Sequence, residues 1–446
     1  MTESSDLTAL LGRLSDQAAQ IGIVGLGYVG LPLAMACEKG GFEVTGFDID
    51  QSKIAALEDG RSYLKTCSDD DIVTARSNNR FHASADFSGL ADMDAIILCV
   101  PTPLTDNNEP DLSFITSTAA TVAKYLRAGQ LVVLESTTYP GTTSEVLKPI
   151  LQAGGLKSGK DFFLAYSPER EDPGNATHGT ADIPKVVGGD GTEALQLAEA
   201  LYGRVVTRTV PVSSMEVAEA AKLTENIFRA VNIALVNELK LIYGKMGIDV
   251  WEVIDAAKSK PFGFMPFYPG PGLGGHCIPI DPFYLSWRAR QFGQDARFIE
   301  LAGEINTAMP GHVVETLGAA LQDRQNKGLN GASILLIGVA YKKNVDDVRE
   351  SPAFVLIEQL EAAGASVDYH DPLVPEIPIT REHQELAGRA SVVLTPDAID
   401  GYDAVLICTD HDDIDYGQLL TSSRLVIDTR NAVAGLPESA NKVVKA

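Results

Sequence analysis

Apolar segments of four to six residues recur along this 446-residue chain and alternate with segments in which apolar residues return at helical spacing. The short segments include residues 21–24, 94–99, 132–137, 333–338 and 403–408. Continuous apolar strands that alternate with helices are typical of parallel sheets covered by helices on both faces. The pattern therefore predicts an α/β protein with doubly wound parallel sheets.

The strand pattern occurs twice in the same order. Residues 94–99 (Asp-Ala-Ile-Ile-Leu-Cys) return as residues 403–408 (Asp-Ala-Val-Leu-Ile-Cys). Such a repeat indicates two Rossmann-like domains, which we place at residues 21–210 and 325–446.

A single long helical pattern at residues 214–247 lies between the two repeats. It is rich in Ala, Leu, Val and Ile on more than one face, so we expect this helix to be buried on several sides. A helix that joins two domains in this way commonly forms a subunit contact, and we therefore expect a homodimer or a higher homo-oligomer. Lys222 and Asn226 are spaced i, i+4 on it and share one face.

The formal net charge of −24 argues against nucleic acid and anionic membranes as partners. No apolar run approaches the roughly 18 residues that span a bilayer, and the N-terminus lacks the basic and apolar regions of a secretion signal. Five dispersed cysteines fit a reducing cytoplasm, and no Cys/His cluster has zinc-ligand spacing. We therefore expect a cytoplasmic protein without a metal, membrane or nucleic-acid partner.

A dinucleotide-binding signature lies near the N-terminus. Gly25, Gly27 and Gly30 follow the apolar strand at residues 21–24, and Asp48 ends the next strand about 20 residues later. The glycines allow a tight turn and the close approach of a pyrophosphate, while Asp48 suits ribose hydroxyls and repels a 2′-phosphate. This arrangement predicts NAD rather than NADP. The alternative is a tight turn between strand and helix that binds no ligand.

The second repeat lacks the glycine triplet. Gly338 is followed by Val, Ala, Tyr341, Lys342 and Lys343. Two lysines in place of glycines predict a different phosphate-bearing ligand, which is held by charge rather than by the backbone alone.

A loop rich in glycine and proline at residues 267–281 contains Cys277 and, four residues later, Asp281. Glycine lets a ligand approach the backbone closely. Because this polar loop fills no core, we interpret Cys277 as a nucleophile; packing in a core is the alternative. We assign the packing role to the cysteines in apolar segments, which are Cys37, Cys99 and Cys408.

Polar residues elsewhere fit the same chemistry. Lys222 and Asn226 form a donor pair suited to a developing oxyanion, unless Lys222 only extends along the surface with its ammonium group in water. Glu169 follows an apolar strand and is a candidate general base, with a carboxylate in a turn as the alternative. A cysteine beside a nicotinamide cofactor predicts oxidation at the aldehyde level: a thiohemiacetal loses a hydride to form a thioester, and water releases the acid.

These motifs together resemble the UDP-glucose/GDP-mannose dehydrogenase family of nucleotide-sugar 6-dehydrogenases. The resemblance covers residues 20–435 and rests on an ordered set of motifs. They are Gly-Leu-Gly-Tyr-Val-Gly at residues 25–30, Val-Pro-Thr-Pro at 100–103, Glu-Ser-Thr at 135–137, Ala-Lys-Leu-Thr-Glu-Asn at 221–226, Gly-Leu-Gly-Gly-His-Cys at 272–277 and the run at 342–352.

The resemblance implies a four-electron oxidation of a sugar C6 alcohol to a carboxylate, with two molecules of NAD used in turn. The implied catalytic residues are the nucleophile Cys277, the oxyanion ligands Lys222 and Asn226, the water-positioning residues Asp281 and Thr137, and Glu169, which assists hydrolysis. The implied NAD-binding residues are Gly25, Gly27, Tyr28, Val29, Gly30, Asp48, Lys53, Thr102, Thr137 and Arg349. The implied substrate-binding residues are Glu169, Arg170, Lys222, Asn226, Phe267, Tyr268, Gly274, Lys342 and Arg430, of which the last two would meet the diphosphate.

One segment departs from the pattern of the UDP-glucose enzymes, which carry a second glutamate four residues after the first. Here that position is Pro173, which argues against UDP-glucose. Residues 168–175 and 264–268 are similar instead to the branch that acts on UDP-N-acetylhexosamines. We therefore expect oxidation of UDP-N-acetylglucosamine to its uronic acid for surface polysaccharides. The alternative substrates are UDP-N-acetylgalactosamine, UDP-N-acetylmannosamine and UDP-glucose.

Two other classes of protein are alternatives. A nucleotide-sugar-binding protein without catalysis would have no need of the Cys277 thiol. A two-electron hydroxyacid dehydrogenase would need neither Cys277 nor a second phosphate-binding fold.

We expect the chain to divide into four parts. In the first, a helical extension at residues 1–20, four leucines fall at helical spacing: Leu7, Leu10, Leu11 and Leu14. The others are an NAD-binding Rossmann domain at 21–210, a central helical dimerisation domain with the cysteine loop at 211–324, and a UDP-sugar-binding Rossmann-like domain at 325–446.

Overall fold

The structure of the protein is a computed structural model. It describes residues 5–64, 66–105, 107, 109–170, 182–275, 278–437 and 439–446. The chain divides into two compact units. The first consists of Met1–Glu225 and Trp287–Gln294, and the second of Asn226–Ser286 and Asp295–Ala446. Each unit contains one β-sheet flanked by helices, which confirms the predicted α/β class with two Rossmann-like sheets.

The first unit is built on an eight-stranded sheet with the order β3-β2-β1-β4-β5-β6-β7-β8. All neighbouring strands are parallel except β6 and β7, which are antiparallel, so the sheet is mixed rather than fully parallel as the apolar pattern predicts. The strands are β1 Gln20–Val24, β2 Glu43–Phe47, β3 Phe81–Ser84, β4 Ala95–Leu98, β5 Leu131–Leu134, β6 Phe163–Tyr166, β7 Lys185–Gly189 and β8 Thr209–Val212.

Seven α-helices belong to the described part of the first unit alone. They are α1 Ser5–Ser15, α2 Gly30–Lys39, α3 Gln51–Glu58, α4 Asp69–Ser77, α5 Ser113–Tyr125, α6 Lys148–Leu151 and α7 Thr192–Tyr202. Helix α1 packs on α7 and buries Leu7, Leu10 and Leu14, which confirms the helix predicted from the leucine spacing. None of the described helices of the chain combines the length and apolarity needed to cross a membrane.

The second unit is built on a five-stranded parallel sheet with the order β10-β9-β11-β12-β13. Its strands are β9 Ser333–Ile337, β10 Ser366–His370, β11 Ala404–Ile407, β12 Val426–Asp428 and β13 Val443–Lys445. Its helices are α9 Val250–Lys258, α11 Arg297–Gln325, α12 Pro352–Ala362, α13 Pro396–Asp400, α14 Tyr416–Ser422 and α15 Ser439–Lys442. Two further helices have residues in both units, α8 Met215–Lys245 and α10 Asp281–Gln291.

The sequence repeat corresponds to a repeated local structure. An aspartate before β4 and one before β11 each accept a hydrogen bond from the N–H that begins the neighbouring strand: Asp94 from Gln20 and Asp403 from Ser333, at 2.8 Å in both units. In each sheet the strand order reverses beside the first strand, between β1 and β4 and between β9 and β11. Ligands of such sheets bind at the carboxyl ends of the strands at this reversal, so each unit presents one such edge.

The first turns of α8 are fastened to the loop after β5 by a buried carboxylate. Glu219 accepts hydrogen bonds from the backbone N–H groups of Gly141 at 2.6 Å and Thr143 at 2.9 Å, and from the Thr143 hydroxyl at 2.7 Å. The side chain is fully buried, so water cannot replace it without rearrangement of the loop.

We predict that Glu219→Ala lowers the free energy of unfolding by about 2–4 kcal/mol, because three buried donors lose their acceptor. In scanning calorimetry, the melting temperature of the transition should fall by on the order of 10 °C. Glu216→Ala is the matched control: its carboxylate lies one turn earlier, is half-buried and accepts from the Ser144 hydroxyl at 2.6 Å. The same loss of stability in both variants would contradict this assignment.

Candidate active site

The glycines of the N-terminal signature have three different structural roles. Gly25 has a φ of +93°, and a Cβ atom there would lie 2.5 Å from the Cys99 carbonyl oxygen. A Cβ atom at Gly30 would lie 1.8 Å from the Gly25 oxygen, so only glycine lets α2 begin this close to β1. A Cβ atom at Gly27 would have no other atom within 4 Å, so the space beside this residue is open. The signature therefore forms a cradle whose open position suits a pyrophosphate.

Asp48, at the end of β2, is fixed beside this cradle. One oxygen of its buried carboxylate accepts from the Leu26 N–H at 2.8 Å and from Lys53 Nζ at 3.1 Å, and the other accepts from the Asp50 N–H at 2.9 Å. The Tyr63 hydroxyl donates to the Leu26 carbonyl at 2.6 Å. The structure thus brings together three of the predicted NAD-binding elements: the glycine turn, Asp48 and Lys53.

The loops after β4 and β5 lie at the same edge of the sheet. Ser136 Oγ accepts from the Val100 N–H at 3.0 Å and donates to the Val100 carbonyl at 2.7 Å. This exchange joins the loop that carries Thr102 to the loop that carries Thr137, with Thr102 buried and Thr137 half-buried. At the other end of the cradle Tyr28 is exposed.

A buried ion pair that the sequence analysis missed supports Glu169. Lys185 Nζ lies 2.8 Å from Glu135 Oε2 and 3.8 Å from Glu169 Oε2, and the Tyr202 hydroxyl donates to Glu135 Oε1 at 2.5 Å. Burial raises the pKa of Glu135 to about 6. Burial acts to lower the pKa of Lys185, but the charges of Glu135 and Glu169 outweigh it and raise that pKa. The sequence carries two signals for this group: Glu135 opens the Glu-Ser-Thr motif, and Lys185 opens an apolar strand.

The structure shows the surroundings of two cations predicted to bind the substrate, Arg170 and Lys222. The Arg170 guanidinium pairs with Glu225 at 2.6 Å and donates to the Pro184 carbonyl at 2.5 Å, so much of its donor capacity is used within the protein. Lys222 is buried rather than extended into water, which removes the surface-lysine alternative. Burial of an ammonium group requires a polar or charged environment.

In the second unit, the structure brings together Asn226 and Asp281. Asn226 Nδ2 donates to Asp281 Oδ2 at 2.5 Å, and both side chains are buried. Asp281 is the first residue of α10 and Asn226 lies on α8. Cys277 and His276 lie outside the described residues, so the role of Cys277 as nucleophile stays a prediction. The same holds for Pro173, on which the choice between substrate branches depends.

The glycine loop before Cys277 packs closely on residues 341–352. A Cβ atom at Gly274 would lie 2.8 Å from Tyr341 Cβ, and one at Gly275, where φ is +83°, would lie 2.9 Å from the Tyr341 ring. The Gly275 N–H donates to the Arg349 carbonyl at 3.1 Å. The predicted NAD ligand Arg349 has its guanidinium paired with Asp347 at 2.6 Å.

The predicted diphosphate ligands lie at the carboxyl edge of the second sheet. Arg430 follows β12, and its Nε donates to the Cys408 carbonyl at 2.7 Å, at the end of β11. Its Nη1 lies 2.7 Å from where a Cβ atom of Gly270 would be, so the guanidinium rests on the glycine loop. Lys342 follows β9 and is half-buried. Two further residues predicted to bind the substrate pack against aromatic rings. The ring centroids of Phe267 and Phe228 lie 5.6 Å apart, and those of Tyr268 and Trp251 lie 5.3 Å apart.

Three family profiles match successive parts of the chain. They describe the UDP-glucose/GDP-mannose dehydrogenase family: its NAD binding domain at residues 19–206, its central domain at 216–308 and its UDP binding domain at 335–435. Together they cover most of the sequence, in the order of the predicted motifs.

Individual relatives match between 80% and 94% of the chain. A UDP-N-acetyl-D-glucosamine 6-dehydrogenase of Pseudomonas aeruginosa is 38% identical over 80% of this chain and 83% of its own. The solved structure of a UDP-N-acetyl-D-mannosamine dehydrogenase from Pyrococcus horikoshii has a TM-score of 0.85 and 33% identity, over 94% of this chain and 97% of that one. An NDP-N-acetyl-D-galactosaminuronic acid dehydrogenase of Ralstonia nicotianae is 33% identical over 92% of this chain and 95% of its own.

We predict that Asp48→Asn weakens NAD binding about tenfold and reduces the preference for NAD over NADP, because the variant keeps the shape but loses the charge that binds ribose hydroxyls and repels a 2′-phosphate. The measurement is the dissociation constant of each cofactor by calorimetry.

Asp50→Asn serves as the control, because Asp50 is an exposed carboxylate that caps α3 by accepting from the Ser52 N–H at 2.9 Å. It should leave the ratio of the two constants unchanged. An unchanged ratio in Asp48→Asn as well would refute the assigned role.

Proposed function

The chain belongs to the UDP-glucose/GDP-mannose dehydrogenase family, and from this premise we propose that it oxidises the C6 alcohol of UDP-N-acetylglucosamine to the uronic acid in two NAD-dependent steps. That it is an NAD-binding nucleotide-sugar dehydrogenase follows from the family itself. The observation that carries the further proposal is the buried Asn226–Asp281 hydrogen bond, whose acceptor Asp281 comes four residues after Cys277 in the sequence. A binding protein without catalysis has no need of the Cys277 thiol.

The relatives give one argument for the choice of sugar. The Pseudomonas aeruginosa enzyme, which is 38% identical over 80% of this chain, is named for UDP-N-acetyl-D-glucosamine. The Pyrococcus horikoshii and Ralstonia nicotianae enzymes, named for the mannosamine and galactosaminuronic acid compounds, are 33% identical over 94% and 92% of this chain. Pro173, where a second glutamate would stand in UDP-glucose enzymes, favours the N-acetylhexosamines. The product would be a uronic acid for surface polysaccharides.

The catalytic roles that we propose use the chain's own groups. Bound NAD supplies the hydride acceptor for each step. The Cys277 thiolate adds to the aldehyde formed in the first oxidation, and the resulting thiohemiacetal loses the second hydride to become a thioester. Lys222 and Asn226 stabilise the charge on the C6 oxygen. Asp281 orients the Asn226 amide by accepting one of its two N–H groups, which leaves the second N–H for the substrate.

We propose that Glu169 assists the hydrolysis of the thioester as a general base. Its carboxylate is 3.8 Å from Lys185 Nζ, and the Arg170 N–H donates to it at 2.6 Å. These contacts fix the position of the carboxylate, which suits a general base that activates water. Thr137 and Asp281 complete the positioning of that water, and release of the acid restores the thiol.

We also propose that the protein forms a homodimer through α8. Phe228, Leu235 and Ile242 are exposed and recur every seven residues, so they share one face of the helix. An exposed apolar row of this length is typical of a subunit contact.

We also propose a cytoplasmic location, because the four described cysteines are free thiols. The division of the chain into four parts also stays a proposal.

We predict that Cys277→Ser lowers the rate of acid formation at least about 10³-fold while the dissociation constants of UDP-sugar and NAD change less than about twofold, since the hydroxyl is a far weaker nucleophile. The unmodified protein should form two NADH per sugar, followed by absorbance. A ratio of one would mean that the aldehyde is released.

Cys67→Ser, a change of a buried thiol in the first unit, should keep full turnover. An alkylating reagent should inactivate the enzyme through Cys277, because burial raises the pKa of the Cys37 and Cys408 thiols to about 12 and about 11 and makes them unreactive. Complete acid formation by Cys277→Ser would exclude the covalent mechanism.

We predict a kcat/KM for UDP-N-acetylglucosamine at least about tenfold above the values for UDP-N-acetylgalactosamine, UDP-N-acetylmannosamine and UDP-glucose, as expected for a site that hydrogen-bonds the C4 hydroxyl and the C2 N-acetyl group in one configuration. A coupled NADH assay with the four sugars measures this order. A higher value for any of the other three would reassign the substrate, and turnover of none would favour a binding protein.

A further inference from the structure

A lysine outside the predicted site is buried in the second unit without a hydrogen-bonded counter-charge among the described residues. Lys240 lies on α8, only 9% of it is exposed, and its Nζ has no hydrogen-bond partner among the residues that the structure describes. An ammonium group in this position costs free energy unless something completes its environment. A buried cation of this kind lowers the stability of the free protein and is a candidate group for binding an anionic ligand.

The charges around Lys240 add to this cost. Arg430 and Asp428, at the end of β12, and His312, on α11, are close enough to interact electrostatically with it. Burial, followed by the positive charge of Arg430, lowers the pKa of Lys240 to about 8, and Asp428 offsets only part of this effect. The Asp428 carboxylate is engaged by its own loop, since it accepts from the N–H groups of Arg430 at 2.9 Å and Val433 at 3.0 Å. The charges of Lys240 and Arg430 therefore repel one another with little counter-charge.

Lys240 also lies where the elements of the predicted substrate site converge. The Gly270 N–H, at the start of the glycine loop, donates to Asn237 Oδ1 at 3.0 Å, one turn before Lys240 on α8. Arg430 rests on the same Gly270 and reaches the end of β11 through Cys408. This is the carboxyl edge of the sheet, at which α/β folds bind their ligands.

We propose that Lys240 is a substrate-binding residue that pairs with the diphosphate of the UDP-sugar, opposite Arg430. This inference rests on the proposed function and extends it to a residue that the motifs do not contain. A chain with a net charge of −24 can hold a diphosphate only where cations reverse the local field, and the Lys240–Arg430 pair forms such a place.

The test is the affinity for UDP alone, measured by calorimetry with the full-length protein. Lys240→Met should raise the dissociation constant of UDP at least tenfold, a change of about 1.4 kcal/mol. The dissociation constants of NAD and of uridine should change less than twofold, because neither depends on this contact. Lys245→Met, which removes an exposed lysine of the same helix, should bind UDP as the unmodified protein does.

Two further measurements separate a binding role from a structural one. Without UDP, Lys240→Met should melt at the same temperature as the unmodified protein or higher, because an unpaired buried cation is replaced by an apolar side chain. At pH 8.5, where free Lys240 is largely neutral, UDP binding should take up a proton, as seen by calorimetry in two buffers of different ionisation enthalpy. UDP affinity should accordingly fall as the pH rises through about 8, the pKa of Lys240, and Lys240→Met should abolish the uptake.

Several results would overturn the proposal. For Lys240→Met, they are a dissociation constant of UDP within twofold of that of the unmodified protein, a loss of uridine affinity equal to the loss of UDP affinity, or a marked fall in melting temperature. For the unmodified protein, the contradicting result is a failure to bind UDP. The UDP-binding test does not depend on the proposed oxidation, because UDP has no sugar that could be oxidised. Lys240-dependent UDP binding without oxidation of any UDP-N-acetylhexosamine would refute only the function, whereas normal UDP binding by Lys240→Met in an active enzyme would refute only this inference.

Discussion

Both sheets depend on a close approach of backbone to backbone at the point where the strand order reverses. Gly25 and Gly338 have positive φ angles, and a Cβ atom at either would lie 2.5 or 2.4 Å from the carbonyl oxygen of the neighbouring strand's end, Cys99 or Thr409. This approach keeps the loop after the first strand across the carboxyl edge of the sheet. The groups that serve each ligand are placed at that edge for this reason.

The residues after the shared glycine make the two edges different. In the first unit further glycines leave the backbone open, and Asp48 is anchored on the Leu26 N–H. In the second unit Asp371 takes the equivalent place and accepts from Val339 and Ala340, but lysine and arginine side chains occupy the surrounding loops. The same fold thus offers an open backbone that suits a dinucleotide in one unit and side-chain charge that suits a diphosphate in the other.

Buried charge has two uses in this acidic chain. The Lys185–Glu135 pair is internally compensated, so it acts as a fixed support on which Glu169 is held. Lys240 differs because its ammonium group has no hydrogen-bond partner within the described structure. A compensated charge positions other groups, whereas an uncompensated one lowers stability until an anion binds.

The sequence by itself determined the apolar strands β1, β4, β5, β9 and β11, the helix α1 and the glycine turn after β1, because each follows from local spacing: apolar runs, leucines at i, i+3 and i+7, and glycines at fixed intervals. Only the tertiary structure decided the antiparallel β6–β7 pair, the Asn226–Asp281 bond and the surroundings of Lys185 and Lys240. These contacts join residues tens of positions apart. No local period encodes which distant side chain will share a buried site, since that depends on how the elements pack.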